Sequence, residues 1–139
     1  MVNNGSKREY KNYFCRLFSE ALFRRGLSVN EFSRQSGVSS TVADMIYRDV
    51  MQDYHYSTIK KIYDFLGDEV IGEYEYCVLH RKEFIEMVLD ETGLSARGLA
   101  KRTGLNEIRV RKLKHKEETF LMKRSEFEAI VNYTLKRQD

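Results

Sequence analysis

The sequence contains no proline, and it has only two cysteines, Cys15 and Cys77, among 139 residues. Two cysteines are too few for a disulfide framework. Neither belongs to a CxxC pair with a nearby histidine, which excludes a zinc ribbon and a thioredoxin motif. Each cysteine lies in a helical apolar pattern, so we expect both to be small, buried and reduced thiols.

Long apolar segments are also absent from the sequence. No run approaches the roughly 20 apolar residues that cross a bilayer, and residues 1–10 are polar and charged where a secretory signal would be apolar. We therefore expect a cytoplasmic protein with no membrane partner. Hydrophobic residues make up 42% and charged residues 32% of the chain, a balance that predicts a folded protein with a buried core.

Catalytic signatures are weak. The three histidines, His55, His80 and His115, are scattered along the chain. No glycine-rich phosphate loop follows a predicted strand, and no pair of carboxylates marks a cleft. We therefore expect neither an enzyme nor a protein that needs a cofactor or a metal.

The strongest positive feature is an internal repeat with an offset of 67 residues. The segment LSVNEFSRQSGVSSTVADMIYRD, which starts at Leu27, aligns without a gap with LSARGLAKRTGLNEIRVRKLKHK, which starts at Leu94. Apolar positions at helical spacing and a glycine recur in both copies. The repeat predicts two tandem units, at 1–72 and 73–139.

Each copy is predicted to form four helices. A long first helix covers about 7–25 in one copy and about 74–92 in the other. The later helices are predicted to begin at serine or asparagine caps, and a glycine ends each second helix. The second helices begin at Ser28 and Ser95 and end at Gly37 and Gly104. The third helices begin at Ser39 and Asn106, and the fourth helices begin at Ser57 and Ser125. Ser28 and Glu31 have the spacing of a capping box. Without proline or convincing alternation of period two, the sequence predicts an all-α protein.

Each unit resembles the phage-repressor-type helix-turn-helix, the lambda Cro/repressor-like or XRE family. The matching positions are the core of the second helix, the turn glycine with its apolar follower, and the inward side of the third helix: Phe32/Leu99, Ser33/Ala100, Gly37-Val38/Gly104-Leu105, Ala43/Val110 and Ile46/Leu113. The resemblance covers nearly the whole chain twice, and it implies two four-helix units that bind DNA in the major groove. The family often has glutamine at the first exposed position of the second helix, where this chain has Val29 or Ala96.

The distribution of charge separates the two copies. The formal net charge of the chain is +3, whereas residues 97–116 hold eight lysines or arginines and one acidic residue, Glu107. A solvated helix face is one interpretation of such a run, but the local excess favours a surface that binds phosphates. The matching window, 30–49, has two arginines against three carboxylates, a composition that phosphates do not favour.

The third helix of the second copy is predicted to read bases. Val110 and Leu113 face inward, and the other positions carry side chains that can bond guanine or adenine or touch a thymine methyl: these are Asn106, Ile108, Arg109, Arg111 and Lys112. The flanking cations predicted to contact phosphates are Arg97, Lys101, Lys114 and Lys116. In the first copy the predicted reading positions are Ser40, Thr41 and Met45, with Ser39 on a phosphate.

Together with the resemblance, these features predict a sequence-specific, double-stranded-DNA-binding transcription regulator of phage or mobile-element type, with the second copy as the main base reader. The alternative is a protein-interaction adaptor or inhibitor that uses the same fold. Its docking face would lie on the first copy, at Met45 and the cluster of Tyr47, Tyr54 and Tyr56. A homodimer is a further possibility.

Overall fold

The computed structural model describes residues 12–51, 53–115 and 121–138. Within these residues all regular structure is helical, with nine α-helices, one 3₁₀ turn and no strand. The helices are α1 (Tyr13–Arg24), α2 (Val29–Ser36), α3 (Ser40–Tyr47), α4 (Tyr56–Leu66), α5 (Glu73–Leu79), α6 (Arg81–Thr92), α7 (Ala96–Thr103), α8 (Glu107–His115) and α9 (Arg124–Gln138), and the 3₁₀ turn is Asp68–Val70. The all-α prediction is therefore confirmed for the described chain. No helix there is long and apolar enough to cross a membrane.

The chain divides into two compact units. The first unit contains α1 to α3 and the segment Ile62–Gly72, which includes the second half of α4. The second unit contains the segment Asp53–Lys61, which includes the first half of α4, and the helices α5 to α9. The boundary predicted after residue 72 coincides with one of these divisions. The domain limits 1–72 and 73–139 stay a prediction.

Aromatic side chains build the core of the first unit. The ring of Phe32 on α2 meets Phe18 of α1 edge to face at 5.0 Å, and it meets Phe65 of α4 at 5.5 Å in a similar arrangement. Ala43 and Ile46, three residues apart on α3, are fully buried. The inward side of α3 therefore lies where the repeat predicted it.

Aliphatic side chains of α7 and α8 form part of the core of the second unit. Leu99 of α7 and Val110 and Leu113 of α8 are each 0% exposed, which confirms the inward positions predicted for this copy. Arg81 also lies in this core: it is 1% exposed, and its Nε donates to the Leu113 carbonyl at 2.8 Å. Ile85 of α6 is likewise fully buried.

Helices α2 and α7 begin at a serine cap and end at a left-handed glycine. Ser28 and Glu31 form the predicted capping box, because the serine Oγ accepts from the Glu31 N–H while the glutamate accepts from the Ser28 N–H. Ser95 caps α7 by accepting from Gly98. Gly37 and Gly104 end the helices in the left-handed region, with φ of 87° and 78°, which a residue with a Cβ adopts only at a cost.

The first helices differ from their predicted lengths. Asn12 is extended and caps the Phe14 N–H, so α1 begins at Tyr13; the predicted start near residue 7 lies outside the described residues. In the second copy the prediction of one helix over 74–92 is wrong, because the backbone at His80 (φ −121°, ψ 42°) separates α5 from α6. One helical period continues across this break through Tyr74, Arg81 and Ile85, so the spacing of buried positions does not reveal the break.

A buried polar network fixes the start of α9 within the second unit. The Tyr74 hydroxyl donates to the Met122 carbonyl at 2.5 Å, and burial raises the pKa of this hydroxyl. The Arg124 guanidinium lies over the Tyr74 ring and pairs with Glu75 at 3.0 Å. Asp53 accepts from the Arg124 N–H, the first of α9. These contacts set the position of the residues that follow Arg124 on α9.

Both cysteines lie in the described part of the chain, and neither forms a disulfide. Cys15 is buried in the first unit, as expected for a core thiol. Cys77 is only half-buried in the second unit, so the expectation that both thiols are buried is wrong for this residue. Burial raises the pKa of the Cys77 thiol to about 12, with Glu73 and Glu75 adding to the shift, so this thiol is protonated at neutral pH.

Candidate nucleic-acid interface

The outward side of α8 is polar and cationic around one apolar residue. Ile108, Arg111, Lys112 and His115 are all exposed, and their spacing places them on one face of the helix. The Ile108 residue is 63% exposed. This face is opposite the buried Val110 side, so three predicted base readers lie together on a surface open to a ligand.

Arg111 is held by a carboxylate one helical turn away. Its Nε and Nη2 both donate to Oε2 of Glu107, at 2.9 and 2.6 Å. The two side chains are 63% and 37% exposed. Exposed pairs at this spacing contribute only about 0.3–0.5 kcal/mol, so a ligand can reorient the pair at small cost.

Asn106 caps the N-terminus of α8. Its Oδ1 accepts from the N–H groups of Ile108, at 2.8 Å, and Arg109, at 3.3 Å. Recognition of adenine by asparagine needs this same oxygen together with the amide nitrogen. In this geometry the oxygen is engaged by the helix end.

Arg109 lies on the side of α8 that meets the start of α9. Its Nε and Nη2 donate to the two oxygens of Glu126 at 2.7 and 2.5 Å, and Nη2 also donates to the Leu121 carbonyl at 3.0 Å. Glu126 is only 6% exposed, and it accepts a further bond from the Lys123 N–H. The Glu126 carboxylate raises the pKa of Arg109, which keeps the guanidinium charged. Arg109 thus ties α8 to the start of α9 within the second unit.

Further cations lie on α7. Arg97 and Lys101 are exposed at i, i+4 spacing, and Arg102 is exposed beside them. Arg102 belongs to the basic segment 97–116 and has no predicted role, although its charge in the sequence marks it as a further cation of this surface. Lys116, the fourth predicted phosphate contact, lies outside the described residues.

Lys114 has a different environment. It is half-buried and lines one side of an open groove between α8 and α6. The opposite side of the groove carries four carboxylates: Glu83, Glu86, Asp90 and Glu91. Arg111 and His115 line the same groove as Lys114. The acidic wall therefore opposes the approach of phosphates to this side of α8 and limits the cationic surface there.

The equivalent surface of the first unit is close to neutral. Ser39 caps α3 by accepting from the Val42 N–H at 3.2 Å, and Ser40 and Thr41 are exposed. Met45 is half-buried. Hydroxyls here can bond bases or phosphates without much discrimination.

Two charged side chains at the C-terminal end of α3, one on the helix and one at its C-cap, neutralise each other. Asp44 and Arg48 pair at 2.8 Å, and both line the shallow groove that also contains Ser40 and Thr41. The cation of this pair is therefore balanced by its neighbour. The surface lacks the cationic excess of α7 and α8.

The first unit does expose apolar side chains elsewhere. Phe23 is 87%, Val50 57% and Tyr47 38% exposed. Tyr54, which the alternative function placed in a patch with Tyr47, is 1% exposed and packs against Tyr74 inside the second unit, so it is not a surface residue. The prediction of a surface cluster that includes Tyr54 is therefore wrong for that residue.

Among residues 12–51, 53–115 and 121–138, no group of three or more histidine, cysteine, aspartate or glutamate side chains is placed to hold a metal ion. Comparison with protein-family models, with curated proteins and with solved structures found no match for this chain.

Proposed function

We propose that the chain is a sequence-specific double-stranded-DNA-binding transcription regulator whose second unit is the reader. The observation that carries this proposal is the outward face of α8, where Ile108, Arg111 and Lys112 are exposed together. Arg97 and Lys101 are exposed on α7, which packs against α8, and they add further positive charge. A helix that enters the major groove needs this arrangement, with cations placed for the phosphates on either side.

The side chains on this face suit base recognition. Arginine bonds guanine through two parallel hydrogen bonds, and an exposed isoleucine can contact a thymine methyl. Of the three, Arg111 has the richest set of donors, and its exposed pair with Glu107 is weak enough to reorient. We therefore assign Arg111 as the principal base reader, with Ile108 and Lys112 beside it.

Two predicted readers take structural roles in this proposal. Asn106 acts as the N-cap of α8, because its side-chain oxygen accepts two backbone N–H groups. Arg109 acts as a positioning residue, because Glu126 and the Leu121 carbonyl hold its guanidinium. Both fix the helix that presents Arg111 rather than touching bases themselves.

The fold part of the proposal is that both units are helix-turn-helix domains of the phage-repressor type. Its support is local: in each copy a serine cap opens the second helix, a left-handed glycine ends it, and the third helix buries two residues three apart. The buried pairs are Ala43 with Ile46 and Val110 with Leu113. These are the positions that carry the resemblance to the family.

The first unit is assigned a minor part in DNA binding. Arg48 is balanced by Asp44, so the surface gains little from releasing counterions along a duplex. The second candidate function, docking of a protein partner on this unit, is favoured by one observation, the exposure of Phe23 and Val50. Binding of DNA by the second unit does not exclude such docking.

The proposal is tested by titrating fluorescent duplexes with the protein at several salt concentrations. Binding should weaken steeply with salt, and a randomised duplex pool should yield an enriched motif. A variant with Arg97→Glu and Lys101→Glu should lose affinity for every duplex, while Arg16→Glu on α1 serves as the single-site charge control. Absence of salt-dependent binding and of any motif would leave only the protein-docking function.

A further inference from the structure

The Glu107–Arg111 pair leaves hydrogen-bonding groups available on the outward face of α8. Both bonds of the pair use one carboxylate oxygen, Oε2, and the side edge of the guanidinium, Nε with Nη2. Within the described chain nothing donates to the other oxygen, Oε1, and nothing accepts from Nη1. One acceptor and one set of donors therefore lie side by side toward solvent.

The donor side of the pair matches guanine. The end edge of the Arg111 guanidinium, Nη1 with the second hydrogen of Nη2, fits the O6 and N7 acceptors of guanine in the major groove. Glu107 holds the side edge of the same group. The paired arginine still presents its end edge, so reading guanine does not require the pair to break.

The acceptor side of the pair matches cytosine. Oε1 of Glu107 can accept from an exocyclic amino group, which in the major groove is N4 of cytosine or N6 of adenine. Adenine also presents its N7 lone pair beside N6, which repels a carboxylate, whereas cytosine presents no acceptor there. A carboxylate at this position therefore selects cytosine.

We propose that Glu107 and Arg111 read two neighbouring G·C base pairs as one element, with Arg111 on a guanine and Glu107 on the N4 amino group of a cytosine in the adjacent pair. This inference rests on the proposed function, because α8 must lie in the major groove. The inference accounts for Glu107, the one carboxylate among residues 97–116. Glu107 weakens attraction to phosphates in general but adds discrimination between sequences.

The test compares the wild-type protein with Glu107→Gln and Arg111→Ala in selections from a pool of duplexes with randomised centres. Affinities are then measured for duplexes that differ at single positions. The wild type should enrich guanine next to a base pair that presents cytosine. Glu107→Gln should shift the cytosine position to adenine, because an amide bonds N6 and N7 together. Arg111→Ala should reduce the preference for guanine by about 10- to 100-fold.

The matched control is Glu20→Gln on α1. Glu20 is also an exposed carboxylate at i, i+4 from an arginine, Arg16, and its substitution makes the same change in charge. It should leave every base preference as in the wild type. Circular dichroism of each variant confirms that the helices are retained.

Different results overturn different claims. If Glu107→Gln binds every duplex more tightly without a change in preference, Glu107 acts only through its charge, and the inference is wrong while the proposed function stands. If Arg111→Ala weakens all duplexes equally, Arg111 contacts the backbone, and the inference is also wrong. If the wild type binds no duplex in a salt-dependent manner and enriches no motif, both the inference and the proposed function fail.

Discussion

Substitution of Arg109 by methionine tests whether this residue positions α8 or reads a base. Methionine keeps an unbranched apolar chain but removes the guanidinium, so three bonds are lost: two to Glu126 and one to the Leu121 carbonyl. The Glu126 carboxylate, 6% exposed, then still accepts a hydrogen bond from the Lys123 N–H. The variant thus leaves a buried negative charge without its counter-ion.

The magnitude follows from this geometry. Removing one partner of a buried ion pair costs about 3–5 kcal/mol. The Arg109 side chain is 30% exposed, so water partly replaces it, and we expect the cost to fall to about 2–3 kcal/mol. The free energy of unfolding is measured by urea titration with far-UV circular dichroism. Adding Glu126→Gln to Arg109→Met should restore part of the loss, because the stranded charge is then removed.

The same variant separates positioning from reading. In conditions where Arg109→Met is folded, it should bind all duplexes more weakly while preferring the same base at each position. A loss of preference at one base position, with stability unchanged within about 0.5 kcal/mol, would refute the reasoning and return Arg109 to the base readers. A strictly additive double variant would refute the assignment of the cost to Glu126.

Three further predictions concern charge, core and turn. Reversing Arg97 and Lys101 to glutamate should flatten the salt dependence of duplex binding by about one unit per lost phosphate contact; unchanged salt dependence would remove both residues from the interface. Val110→Asp should unfold the second unit, because the carboxylate replaces a side chain that is 0% exposed; a variant that stays folded by circular dichroism and loses only DNA affinity would show that the helix phase is wrong. Gly104→Ala should lower the free energy of unfolding by about 1–2 kcal/mol, because φ is +78° there, whereas Gly98→Ala, inside α7, should cost less in the same urea titration.

The turn regions could be predicted from sequence because their causes are local. A serine, a glutamate three residues later and a closing glycine satisfy the ends of α2 without help from distant residues. The inward side of α8 was also predictable, since Val110 and Leu113 follow the helical period. The repeat strengthened both predictions by presenting each pattern twice.

What could not be predicted depends on partners far along the chain. Nothing in the basic run indicates that Arg109 bonds Glu126, 17 residues later, because a pattern of charges does not specify which arginine turns toward its own domain. Asn106 has two chemical roles, helix cap and adenine reader, and sequence alone does not choose between them. No glycine or proline marks the break at His80 in the sequence. The next residue, Arg81, is charged but occupies a buried core position, so it does not reveal the break either.

Hydroxyl-radical footprinting of a selected duplex tests most directly the central claim that the second unit is the DNA reader. The account predicts one short protected patch per chain, spanning a single major groove, and its loss in the variant with Arg97→Glu and Lys101→Glu. Two unlike protected patches about 10 base pairs apart would contradict the assignment of reading to the second unit alone. Equal protection of unrelated duplexes, or none at all, would contradict sequence-specific DNA binding itself.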